Sequence, residues 1–124
     1  MDKRTCAVLG AVYFELMNSL AIMAQGEEVS KCTIAAFRAA APQLEEQGYK
    51  SSLELIADEL ERYNRMIRRV KAYLKLAASE EIEEAEEAKQ KLEQAIVEAN
   101  IARLRLSSYI IDLLRDMAKR AEEC

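Results

Sequence analysis

The sequence predicts an all-α fold: one domain over 1–124, an up-down bundle of four helices whose last two form a long antiparallel hairpin at about 51–77 and 80–122. Three observations predict it. From Tyr49 to Cys124 there is no Gly and no Pro, so nothing in the last 76 residues breaks a helix by its backbone chemistry. Over 53–77 apolar side chains recur at alternating spacings of three and four, the period of a helix with one long packing seam. The composition is 51% apolar and 32% charged, dominated by Ala, Leu, Glu, Lys and Arg, which suits helices and leaves little β-branched alternation for strands.

Helix one is expected from Asp2 or Thr5 to Gln25, with Gly26 as the left-handed residue that stops it. Val8, Val12 and Leu16 lie on one side and Leu9, Tyr13, Met17 and Leu20 on the next. A helix apolar all round is central in a bundle or shared between subunits. Residues 7–24 hold one charge, Glu15, and follow Lys3 and Arg4, so the segment resembles a signal peptide or a short membrane span. A carboxylate at mid-membrane costs on the order of 2.5–3.5 kcal/mol. With Asn18 and Ser19 close behind and no clean cleavage site, a buried helix is the expectation, without membrane contact.

Helix two begins after Ser30, a good N-cap, and carries Ile34, Phe37 and Leu44 among alanines. Pro42 removes a hydrogen bond and clashes one turn back, which places a break at Ala40–Pro42 and a last turn ending at Gly48. Ser51-Ser52-Leu53-Glu54 is a capping box with Ser51 as N-cap. Helix three then runs through Leu53, Ile56, Leu60, Tyr63, Ile67, Val70, Leu74 and Ala77. An unbroken helix from there to Cys124 would extend on the order of 110 Å. Charge argues for a turn at Ala78–Ser79 instead. Residues 62–78 hold six basic side chains and no acid, and residues 80–87 hold six glutamates and no base. Folding there sets Lys75 near Glu81 and Arg69 near Glu87, with Ser79 as the next N-cap. Helix four carries two apolar stripes, Leu92, Ile96, Ala99, Leu106, Ile110, Leu113 and Met117 in one, Val97, Ile101, Leu104, Ile111 and Leu114 in the other. Two stripes need two partners: helices one and three for the first, a second subunit for the other.

Composition also excludes chemistry. There is no His, which removes zincin, Ser-His, Cys-His and phosphohistidine mechanisms, and there is no Gly-rich phosphate loop. The net charge of −4, shared evenly between residues 1–48 and 49–124, argues against a general polyanion binder. Cys6, Cys32 and Cys124 are odd in number and lack close spacing, so reduced thiols and a cytoplasmic location are expected, with any bridge by Cys124 intermolecular and incidental.

Three groups of residues are candidate sites. Glu15, alone in an apolar helix, must be paired or neutralised if buried; Arg103 and then Arg105 are its expected partners, in an ion pair or around a ligand. Arg62, Arg65 and Arg69, with Tyr63 and Tyr73 interleaved, form a basic face suited to a nucleic acid or a small molecule. Its bland reading is that Asp58–Arg62 and Glu61–Arg65 pair within the helix. Glu83-Glu84-x-x-Glu87 resembles the first element of the all-α nucleotide pyrophosphohydrolases, a likeness that implies Mg²⁺ held by Glu83, Glu84 and Glu87 over a triphosphate. The second acidic pair of that family has no counterpart; Asp58-x-x-Glu61 has the reversed order. In layout the chain resembles HEPN-type dimeric bundles, without the His of their ribonuclease motif. The expected function is a non-enzymatic protein-interaction module without cofactor that forms a homodimer through helices one and four. A small-molecule or nucleic-acid binder and a carboxylate-metal hydrolase are the alternatives.

Overall fold

The computed structural model describes residues 1–78 and 82–124, with side chains at all of these except 82 and 84. Among the described residues there are four α-helices, α1 (Lys3–Ala24), α2 (Lys31–Ala40), α3 (Lys50–Ala77) and α4 (Ile82–Ala121), a single 3-10 turn at Pro42–Leu44, and no strand. Helices neighbouring in sequence pack on each other and α4 returns to close the bundle against α1, so the up-down order and the α3–α4 hairpin are as the sequence predicts.

Local chemistry sets most of the boundaries. The Asp2 carboxylate accepts the Thr5 amide at 2.7 Å to start α1. Gly26, at φ 72°, ends it with the amide of Glu27 donating to the Ile22 carbonyl and that of Gly26 to Met23. The Ser30 hydroxyl accepts the Thr33 amide at 3.1 Å to start α2. Pro42 stops α2 at Ala40, as its missing N–H requires. The start of α3 differs from expectation. Ser51 is not an N-cap: the helix begins at Lys50 behind Tyr49, with no side-chain cap. Tertiary anchoring overrides the capping box. Tyr49 is buried, its amide donates to Leu44, its hydroxyl donates to the Asp116 carboxylate on α4, and Arg120 lies over its ring at 5.6 Å. Burial, then the bond to Asp116, pushes the Tyr49 hydroxyl above the usual phenol range.

One core joins Leu9, Leu16 and Met23 of α1, Phe37 of α2, Leu53, Ile56 and Leu60 of α3, and Ile110 and Met117 of α4. The α3 seam is buried from Leu53 to Ile67 but fades beyond Val70, and Leu74 is 57% exposed. The reason is length. With 22 and 10 residues, α1 and α2 end before α3 and α4 do, so the distal hairpin is a two-helix arm. Ala85, Ala88 and Ala95 of α4 are buried there, outside the main core, and small side chains let α3 come close.

Among the described residues the charge blocks do not pair as expected. Arg69 reaches Glu98 at 3.9 Å rather than Glu87, and Glu87 pairs with Lys91 in its own helix at 3.0 Å. Across the hairpin, Ser52 of α3 stands beside Tyr109 of α4. The expected Ser79 cap and Lys75–Glu81 pair lie outside the described residues. Other basic residues of α3 turn to the α1–α2 connection, Arg68 to Glu28 at 3.1 Å and Lys71 to Glu27 at 3.3 Å. Beneath them the buried Asn64 amide brackets Val29, accepting from its N–H at 2.9 Å and donating to its carbonyl at 2.7 Å. Two buried backbone groups are thereby satisfied, where leaving either unpaired costs about 1–3 kcal/mol.

The cysteines also depart from expectation. Cys6 and Cys124 form a disulfide, with Cα atoms 6.0 Å apart, and Cys32 is a free, exposed thiol. The closing of α1 on α4 brings the chain ends together, so the bridge of Cys124 is intramolecular rather than intermolecular. The expectation of reduced thiols is thereby corrected for Cys6 and Cys124 and kept for Cys32. Among the described residues α1 is long and apolar enough to cross a membrane, at mean hydropathy 1.6 over an 18-residue window, 28% of which is buried here.

The bridge closes a loop across a separation of 118 residues, worth about 4–5 kcal/mol in the chain-entropy account. Reduction, or Cys6→Ser, should lower Tm by roughly 15–20 °C in paired calorimetric scans. An unchanged Tm would mean that packing alone holds α1.

Candidate functional site

Glu15 is half-buried and has no ion pair with Arg103 or Arg105 among the described residues, contrary to expectation. Its carboxylate accepts from the Thr33 hydroxyl at 3.2 Å, which itself accepts from the Ser30 hydroxyl at 2.9 Å. The charge therefore sits at the N-terminus of α2, where free amides and the helix dipole favour it. Arg103 is elsewhere. It donates to Asn100 at 3.4 Å and lies near the hydroxyl of Tyr63, which donates to the Met23 carbonyl. Met23 is eight residues along α1 from Glu15, about 12 Å at the helical rise. Burial pushes the Tyr63 hydroxyl up, and Arg103 opposes that push.

The carboxylate cluster has no convergent geometry in view. Glu83 is exposed, Glu87 is engaged by Lys91, and the Glu84 side chain lies outside the described residues. Among the described residues no three acidic or sulfur side chains gather around a metal-sized space.

The arginines are brought together more fully than the sequence suggested. Arg62, Arg65 and Arg69 from α3 line one groove with Arg105 from α4, a space of about 750 Å³ between the helices. Leu55, Met66, Ile101, Leu106 and Tyr109 supply apolar walls, and Glu59 and Glu98 are its acids. The expected pairs Asp58–Arg62 and Glu61–Arg65 do not form. Arg38 of α2 takes both acids instead, each at 2.8 Å. Arg62, Arg65 and Arg105 consequently have no ion pair among the described residues, which a helix-only charge count could not reveal. A volume of this size suits a small ligand with an apolar body and an anionic group.

The second surface is the outer face of α4. Val97, Ile101, Leu104 and Ile111 recur at four, three and seven positions, a helical stripe. They are 55%, 51%, 63% and 39% exposed. Leu114, assigned to the same stripe from sequence, is buried, and Ile96, assigned to the inner stripe, is 41% exposed. Beside this stripe on α1, Phe14 and Met17 are 66% and 50% exposed. The disulfide fixes α1 against α4, so Phe14 and Met17 lie at the level of residues 113–116. No family model, curated protein or solved structure matches this chain.

Since Glu15 keeps an acceptor oxygen when changed to Gln and has no buried counter-charge, Glu15→Gln should move Tm by no more than about 2–3 °C. A drop beyond about 8 °C in a thermal melt would restore the buried-pair reading.

Proposed function

We propose that this protein is a non-enzymatic assembly module that self-associates through α1 and α4. The observation that carries the reading is the solvent-facing stripe Val97, Ile101, Leu104 and Ile111, flanked by Phe14 and Met17. Monomers rarely leave contiguous apolar patches beyond a few hundred Å² uncovered, and larger ones mark interfaces. Six exposed large apolar side chains on two packed helices of a 14.0 kDa chain support such a patch. The face carries no catalytic set, and its chemistry is that of a helix–helix contact. We read the apolar α1 as part of this face rather than as a lipid contact, since Glu15 ties its middle to the start of α2.

Light scattering behind size exclusion should give twice the 14.0 kDa chain mass. Leu104→Glu, at a position 63% exposed, should leave helicity intact and shift the species to monomer, because burying a carboxylate replaces a gain of about 1.5–3 kcal/mol per leucine with a cost. A wild-type chain that stays monomeric at tens of micromolar would sink the reading.

The groove favours a second reading: binding of an anionic small molecule or single-stranded nucleic acid by Arg62, Arg65, Arg69 and Arg105. Its support is that Arg38 holds the acids expected to neutralise Arg62 and Arg65. A gel shift with single-stranded RNA should then appear at 50 mM salt and vanish in Arg62→Glu/Arg69→Glu. Identical mobility for both proteins would dismiss the nucleic-acid form.

A further inference from the structure

We propose that two copies of this chain pair α4 against α4 in antiparallel, about a two-fold axis passing beside Leu104. The inference rests on the self-association reading and adds the orientation of the partner and the residues that select it.

Four residues of the outer face of α4 are placed symmetrically about Leu104. Val97 and Ile111 stand seven positions before and after it, two turns each way on the same side of the helix. A two-fold axis there lays Val97 on the partner's Ile111 and Leu104 on its own counterpart, as an isologous contact requires. Eleven positions out stand Glu93 and Arg115, both exposed and both on this outer face. The same operation sets each Glu93 against the partner's Arg115, so opposite charges close the apolar strip at both ends. Glu93 has no ion pair within the chain among the described residues. Arg115 has only Asp112 at 3.9 Å, a loose contact with both side chains over 70% exposed.

Charge decides the direction. A parallel pairing would also bury the stripe, but it would stack Glu93 on Glu93 and Arg115 on Arg115, and like charges directly opposed are unfavourable. The antiparallel operation gives α1 a place too. Phe14 and Met17, level with residues 113–116 of their own α4, come opposite the partner's α4 near Leu92 and Ile96, where Ile96 is 41% exposed. Glu86 and Glu122 also meet, about 27 Å from the axis. There Glu86 already has Lys89 at 3.6 Å, and helices crossing at about 20° have separated.

The test is a charge exchange read by sedimentation equilibrium on the full-length oxidised chain. Glu93→Arg and Arg115→Glu should each raise the dimer Kd by roughly tenfold, turning two attractive contacts into two repulsive ones. Mixing the two single variants, or placing both substitutions in one chain, should restore the wild-type Kd. At 0.5 M salt the differences should shrink, since such exposed pairs are screened. If the wild type dimerises but the single variants bind as tightly as it does, the antiparallel seam is overturned while self-association stands. A mixture tighter than the wild type would indicate the parallel pairing and overturn the proposal. A monomeric wild type removes both.

Discussion

A helix has one circumference, and α4 is apolar over more of it than its own chain can cover. Its 40 residues outrun every other element, and among the described residues α3 and α1 lie alongside. Leu106, Ile110, Leu113 and Met117 turn between those two and are buried. Val97, Leu104 and Ile111 face solvent, and Ile101 stands between them and the α3–α4 groove, still 51% exposed. The shortness of α2, at 10 residues, sharpens the mismatch, because the bundle runs out of helix while the hairpin continues. The uncovered stripe and the alanine-packed arm are thus two consequences of one inequality in length.

Charge organises the surface in a way that no single helix contains. Arg38 of α2 spans to Asp58 and Glu61 of α3, and Arg68 and Lys71 of α3 reach the α1–α2 connection. Exposed pairs of this kind are individually worth about 0–1 kcal/mol, so they steer and align rather than hold the fold. Their chemical consequence lies in what they release. With Asp58 and Glu61 occupied, Arg62 and Arg65 face the α3–α4 groove unneutralised beside Arg105. Glu15 follows the same logic in reverse. Its carboxylate takes the Thr33 hydroxyl at the start of α2, where the helix dipole favours a negative charge.

Much of this was legible in the chain. The Ser30 and Gly26 boundaries, the Pro42 break, the buried run from Leu53 to Ile67 and the outward stripe of α4 depend on backbone chemistry and periodicity, which act over a few residues. Ser51 misled because its capping box is also local, while Tyr49 is held from α4 sixty-seven positions away through Asp116. Asn64 carried no signal, since an asparagine that brackets a distant peptide group reads like any other polar residue in a helix.

Amino-acid order alone was enough for the fold class, the number of helices and the direction of the surplus apolar face, because propensity and period are properties of neighbouring residues. Which charges pair, where Cys6 finds Cys124, how the α3–α4 register falls and which arginines share a groove were decided in three dimensions. Each of these joins residues far apart in sequence, and their meeting depends on turn lengths and helix rotations that no local pattern encodes.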